Sequence, residues 1–264
     1  MSLPSPSLPQ ADSAAAPDLA AQPRVSGLAR VRIHLWDLPT RVFHWSLVGA
    51  VLTAVITGQI GGDWMPVHGK AGVAIVGLVV FRLIWGFIGS THSRFLNFVP
   101  TPQKVLAYLR GRWDGIGHNP IGALSVFALL GLLAAQAGTG LFTNDDIAFS
   151  GPLAVLVSDA LQSQLTGLHH LIANGLLILL GLHVLAIAFY TWFKKDNLVK
   201  PMITGHKDIE AEDAHSHAPI RHGGWLAFLT ALVAALAAVV LVSGVLLPQD
   251  PPAPATQQQA QPGW

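Results

Sequence analysis

Three observations predict an all-α integral membrane protein, a four-helix bundle with a fifth transmembrane helix at its C-terminal end. Of 264 residues, 52% are hydrophobic and only 11% charged, and the mean hydropathy is +0.50. A soluble domain is typically about a quarter charged, so this surface needs lipid as its solvent. The apolar residues fall in five long blocks, each close to the roughly 20 that carry a helix across about 30 Å of hydrocarbon. Lysine and arginine collect on one side of those blocks. A water-soluble enzyme is excluded, and a net charge of +1 implies no nucleic acid. The chain has no cysteine, which removes disulfides, zinc–thiolate sites, iron–sulfur clusters and covalent c-type haem together.

In chain order, residues 1–31 are rich in Pro, Ala and Ser and read as a disordered tail. They are not a cleavable signal, because Arg24, Arg30, Arg32 and Arg41 come only just before the first apolar run. Spans are expected at 42–60, 70–89, 120–142 and 168–193, within a domain covering 32–207. A linker at 208–223 follows, then the fifth span at 224–247 and a Pro- and Gln-rich disordered tail at 248–264. Each span is too long and too evenly apolar for a strand, and sheet edges exposed to lipid would leave backbone groups unpaired.

Thirteen of the fifteen basic residues fall on one side of this alternating topology, the exceptions being Lys70 at a helix entrance and Arg82 within a span. The excess marks the cytoplasmic side. The N-terminus is then inside, the loop with Asp145, Asp146 and Asp159 outside, and the fifth span carries the C-terminus out. The tryptophans, among them Trp36, Trp45, Trp64 and Trp85, read as an interfacial belt.

Any redox chemistry must use histidine, and there are twelve. His44, His68, His169 and His183 lie in or at the mouths of spans, with His170 as a competitor; an intramembrane ionisable residue is costly and marks function by default. Taken singly, each is equally well a hydrogen-bonded interfacial group. His169 and His183 are fourteen residues apart, which leaves them about 40° apart on one helix face and about 21 Å apart along the axis. His170 falls about 140° from His183, so His169 is the better ligand. His68 opens span two and His169 opens span four, both at the outer level; His44 and His183 share the inner level. Two bis-histidine sites stacked across the membrane are the arrangement of a dihaem electron carrier.

The segments RVFHW around His44, VHGKAG and FRLIW around His68 and Arg82, LHHLIANGLLILLGLH from Leu168 to His183, and KKDNL from Lys194 resemble the bacterial cytochrome b561 and nickel–iron hydrogenase b-type cytochrome subunits. The resemblance covers about residues 33–207. It implies a four-helix core with axial ligands at His44, His68, His169 and His183, two haem b groups, and electron transfer between a redox partner and the quinone pool of a respiratory chain. It also implies the bacterial inner membrane, but not the short members' particular partner; the acidic loop between Thr143 and Gly167 is instead what points to a basic periplasmic cytochrome or oxidoreductase subunit, a solvated acidic loop being the alternative. The fifth span and both tails depart from the short members.

Arg82 lies fourteen residues after His68, near the inner level, where it either pairs with a haem propionate or snorkels to the interface. Gly49, Gly69, Gly72, Gly77, Gly175 and Gly181 either leave room for flat macrocycles or allow close helix packing. His206, His215, His217 and His222 read as solvated linker residues, and His34, His92 and His118 have no helical registration to a partner. Competing functions are a histidine-lined proton or metal transporter, which calls for a polar path and broken helices, and a redox-silent membrane anchor for a soluble enzyme.

Overall fold

The computed structural model describes residues 30–113, 115, 117–147, 149–210 and 221–248. In chain order it comprises a strand β1 (Arg30–His34), helices α1 (Leu38–Ile60), α2 (Met65–Ile88), a single turn α3 (Phe95–Phe98), α4 (Pro102–Leu109), α5 (Pro120–Gly140), α6 (Asp159–Trp192) and α7 (Val199–Thr204), a strand β2 (His206–Glu210) and α8 (Gly224–Val242). Five of these helices are long and apolar enough to cross a membrane, so the chain is an all-α multi-pass membrane protein.

α2 is the axis of packing: α1, α5 and α8 all lie against it, and α6 packs on α5. One cluster of its core joins Phe43, Phe81, Trp85, Phe95, Leu130, Ala231 and Ala235, and a second joins Val51, Ile75, Val79, Leu133, Ala137 and Leu176. Small residues set the closest approach. A Cβ on Gly77 would lie 2.6 Å from Val239 and 3.4 Å from the Ala235 carbonyl, so this glycine serves the contact between α2 and α8.

The order of the spans matches expectation; several ends shift by a few residues, and two features differ more. α6 begins at Asp159, nine residues before the expected start. Its first turns are polar and therefore fall outside an apolar window, yet they are fastened. The buried Gln162 amide donates to the Ala154 and Val157 carbonyls, and Asn144 donates to its Oε1. At about 1.5 Å per residue the 34-residue helix is about 51 Å long, so it projects beyond the bilayer.

The second difference is a two-stranded antiparallel ribbon, β1 with β2, that begins within the segment expected as tail and ends within the expected linker. Arg32 stands opposite Asp208 in register and pairs with it at 3.2 Å. The ribbon anchors the chain after α6 to the start of α1: the Gly205 carbonyl accepts from the Leu35 and Trp36 amides, and Arg41 donates to the Ile203 carbonyl. Gly205 sits at φ 83, and a Cβ there would lie 2.9 Å from the Trp36 carbonyl oxygen, so no other residue fits this turn without strain. The remaining calls on 1–29, 211–220 and 249–264 lie outside the described residues.

A buried polar cluster surrounds Asp37. Its Oδ1 accepts from the Thr40 amide at 2.7 Å and caps α1; its Oδ2 accepts from Trp85 Nε1 and from Ser93 Oγ, both at 3.1 Å. Trp85, 2% exposed, is thus a buried hydrogen-bond donor rather than a belt residue, and Trp36 is likewise buried.

Replacing Asp37 by Ala is expected to cost about 2–4 kcal/mol in thermal or denaturant unfolding in detergent, from the lost cap and two buried donors left unpaired. Asp37→Asn, which keeps an acceptor for Thr40, should cost less than half as much. A pH dependence follows from His34, whose ring lies 5.2 Å from His206 and 5.6 Å from His222. Burial first, then the charges of His206, His222 and Arg41, hold its pKa below the ordinary value against the opposing pull of Asp37. The folded state therefore binds fewer protons than the unfolded one, so the ribbon is at full stability above about pH 6.5 and weakens as the pH falls. Hydrogen exchange in 31–34 and 206–210, corrected for intrinsic rate, should quicken between pH 7.5 and pH 5, and His34→Phe should remove most of the difference.

Candidate functional site

The first turn of α2 and the early part of α6 bring His68 and His169 together with ring centroids 6.1 Å apart and planes at 83°. Each ring is oriented by a main-chain carbonyl: His68 Nδ1 lies 2.8 Å from the Ala54 oxygen and His169 Nδ1 lies 3.0 Å from the Gln136 oxygen. A carbonyl oxygen only accepts, so both Nδ1 atoms carry a proton, which leaves Nε2 as the nitrogen that presents a lone pair to a metal whenever the ring is neutral. Gln136 Nε2 donates to His169 Nε2 at 2.9 Å, in keeping with that assignment. His170, by contrast, is exposed, with its ring 6.2 Å from that of His169.

The spacing fits a metal between the rings. Two metal–imidazole bonds of about 2 Å, with about 1 Å from each nitrogen to its ring centre, place the centroids about 6 Å apart. A cavity of about 400 Å³ surrounds this pair, lined by His68, His169, Gly58, Gly72, Gly140 and Ala173 among others; that volume lies within the roughly 300–1,000 Å³ of small-molecule and cofactor sites. The buried Gln136 Oε1 in its wall has no hydrogen-bond partner among the described residues. Around it, α1 and α2 face α6 without the close packing seen elsewhere in the bundle.

Two glycines that the sequence does not single out cradle the rings. A Cβ on Gly58 would lie 2.8 Å from His68 Nδ1, and one on Gly140 would lie 2.9 Å from His169 Cε1. Of the six glycines noted in the sequence, Gly49, Gly72, Gly175 and Gly181 would meet nothing within 4 Å and so leave space, whereas Gly69 abuts Phe149 and Gly77 abuts Val239.

His44 on α1 and His183 on α6, both half-buried, lie near enough for their charges to interact. Arg82 is 3% exposed and does not snorkel. It donates from Nη1 to the Ser93 carbonyl at 3.0 Å, lies 4.5 Å over the Phe95 ring and interacts with the charge of Asp37.

His118 is the residue that sequence spacing overlooks. It is packed between Trp36 and Phe98, with ring centroids 4.7 and 4.5 Å away. Burial, then the charges of Arg82, His92 and His183, push its pKa down to about 3, so it is a neutral imidazole at physiological pH. The only sequence clue is its position one residue before Asn119, whose side chain caps α5 through the Gly122 amide.

A family model described as prokaryotic cytochrome b561 matches residues 35–205. Among curated proteins, the chain is similar to the "Probable Ni/Fe-hydrogenase B-type cytochrome subunit" of Bradyrhizobium diazoefficiens, at 22% identity over 74% of this chain and 95% of that protein. It is similar to the protein of the same name in Rhodobacter capsulatus at 25% identity, over 67% of this chain and 82% of that one. The "Probable Ni/Fe-hydrogenase 1 B-type cytochrome subunit" of Escherichia coli is 24% identical over 42% of this chain and 60% of its own length. No solved structure matches the chain.

Proposed function

This chain belongs to the prokaryotic cytochrome b561 family, and on that premise we propose that it is a b-type cytochrome of the bacterial inner membrane that passes electrons between a redox partner and the quinone pool through two haem b groups. In this reading His68 and His169 are the axial ligands of an outer haem, and His44 and His183 those of an inner one. The observation that carries it is the 6.1 Å separation of the His68 and His169 rings, each with its Nδ1 tied to a carbonyl oxygen. When bound, haem supplies a one-electron iron couple, and two imidazole ligands leave the iron no open position for oxygen.

The chain's own groups do the rest. The Ala54 and Gln136 carbonyls hold the rings in the ligating tautomer and raise their basicity. Gly58 and Gly140 let the neighbouring helices approach the rings, and Val51, Ile75 and Leu176 keep water from the gap. The fourteen-residue step from His169 to His183 sets the two levels about 21 Å apart along α6.

The basic end of the bundle faces the cytoplasm, as the charge asymmetry directs, so the N-terminus lies inside and the C-terminus outside. The acidic outer loop, with Asp145, Asp146 and Asp159 and no basic residue between Thr143 and Gly167, then receives a periplasmic cytochrome or oxidoreductase subunit. The hydrogenase association in the names of the relatives supports a hydrogenase-type partner.

The purified protein is expected to give two haem b per chain as the pyridine haemochrome, both extractable by acidic organic solvent. His68→Ala or His169→Ala should remove or perturb one haem, His44→Ala or His183→Ala the other, and His170→Ala neither. Absence of haem, or loss in the His170 variant with full retention in the His169 variant, contradicts the assignment. Gly58→Leu and Gly140→Leu should each lower the haem content toward one per chain, because a side chain at either position overlaps a ligand ring; absorbance against protein concentration reads the loss.

A further inference from the structure

His118 is a half-buried titratable group with a fully buried Nδ1 that plays no part in the two ligand pairs. The loop before α5 delivers it to the basic end of the bundle, turned by Gly117 at φ 97, and Trp36 and Phe98 fix its ring on two sides. Its Nδ1 is buried without a hydrogen-bond partner among the described residues, a costly condition for an imidazole nitrogen. It lies within electrostatic range of His183, Arg82 and His92, and a Cβ on the adjacent Gly117 would lie 3.5 Å from His92 Nδ1.

A haem carries two propionate carboxylates, and a carboxylate withdrawn from water needs N–H donors and compensating charge. From the orphaned nitrogen and its neighbours we infer that His118 donates a hydrogen bond to a propionate of the inner haem, with Arg82 and His92 supplying positive charge beside it. This rests on the haem reading above. His118 is then a positioning residue rather than a ligand. Its effect on the iron is electrostatic: a compensated carboxylate opposes the arrival of an electron less than a bare one, so the contact raises the reduction potential of the inner haem.

The test is a spectroelectrochemical titration of the purified full-length protein beside His118→Leu and His118→Gln. All three are expected to hold two haems. In the Leu variant, the reduction equilibrium of one haem should fall about tenfold, about 59 mV for a one-electron couple, while the other is unmoved. The Gln variant, which keeps an N–H donor, should recover most of the shift. The haem affected should be the one missing from His44→Ala. Two bound haems with unmoved potentials in His118→Leu, or an equal fall in both variants, overturns the inference and leaves the haem assignment standing; absence of haem from the unaltered protein removes both. Should His118→Leu fail to assemble, His118→Met against His118→Gln is read by the same criteria.

Discussion

The carboxylate of Asp37 is the constraint on which the register of the bundle depends. Helices in lipid gain little from sliding one apolar face along another, because the lipid is as apolar as the neighbouring side chains. Heights must therefore be set by directional contacts. Asp37 caps α1 through Thr40 and holds the end of α2 through Trp85 Nε1 and the following turn through Ser93. Arg82, bonded to the Ser93 carbonyl, belongs to the same group. The Gly205 carbonyl, bound by the Leu35 and Trp36 amides just before Asp37, brings the segment after α6 to the same level. His44 stands two turns into α1 from this point, and His183 two to three turns before the end of α6, so one polar group aligns the ends of both helices that carry the inner pair.

At the other end of the bundle the devices are different. There the loop from α5 to α6 is fastened by Asn144 and Gln162, and the His68 and His169 rings are held by main-chain carbonyls of α1 and α5 rather than by charged side chains. Glycine opposite each ring lets those carbonyls approach. The effect is a pair of preorganised imidazoles in a largely apolar cavity, with Asp145 in its lining. In the proposed reading, rings held in this way suit a metal that changes charge by one electron without reorganising its surroundings.

Much of this is legible in the sequence. The five spans follow from residue type, and the placing of His169 beside His68 with His170 exposed follows from the 3.6-residue period, because a helix turns spacing directly into facing. What escapes is long-range or polar. The β1–β2 ribbon joins segments about 170 residues apart whose short alternations carry no signal by themselves. The polar start of α6 is invisible to a hydropathy window because its stability comes from Gln162 and its carbonyl partners. Trp85 and Trp36 read as belt residues because a helix-end tryptophan is usually interfacial, and only the position of Asp37 shows that the indole of Trp85 is needed inside. Gly58 and Gly140 meet the His68 and His169 rings, and His118 meets Trp36 and Phe98, through neighbours on other elements, which spacing along one helix cannot reveal.

Electron passage through both levels is tested most directly in vesicles containing the purified protein, with a quinol in the membrane and a membrane-impermeant acceptor on the side of the acidic loop. The quinol is expected to reduce both haems, the acceptor to reoxidise them, and acceptor reduction to fall to background when either His44 or His68 is replaced by Ala. Haems that stay oxidised with every quinol supplied while both remain bound, or acceptor reduction undiminished after either pair is broken, would contradict transfer between quinone and partner through the two stacked sites.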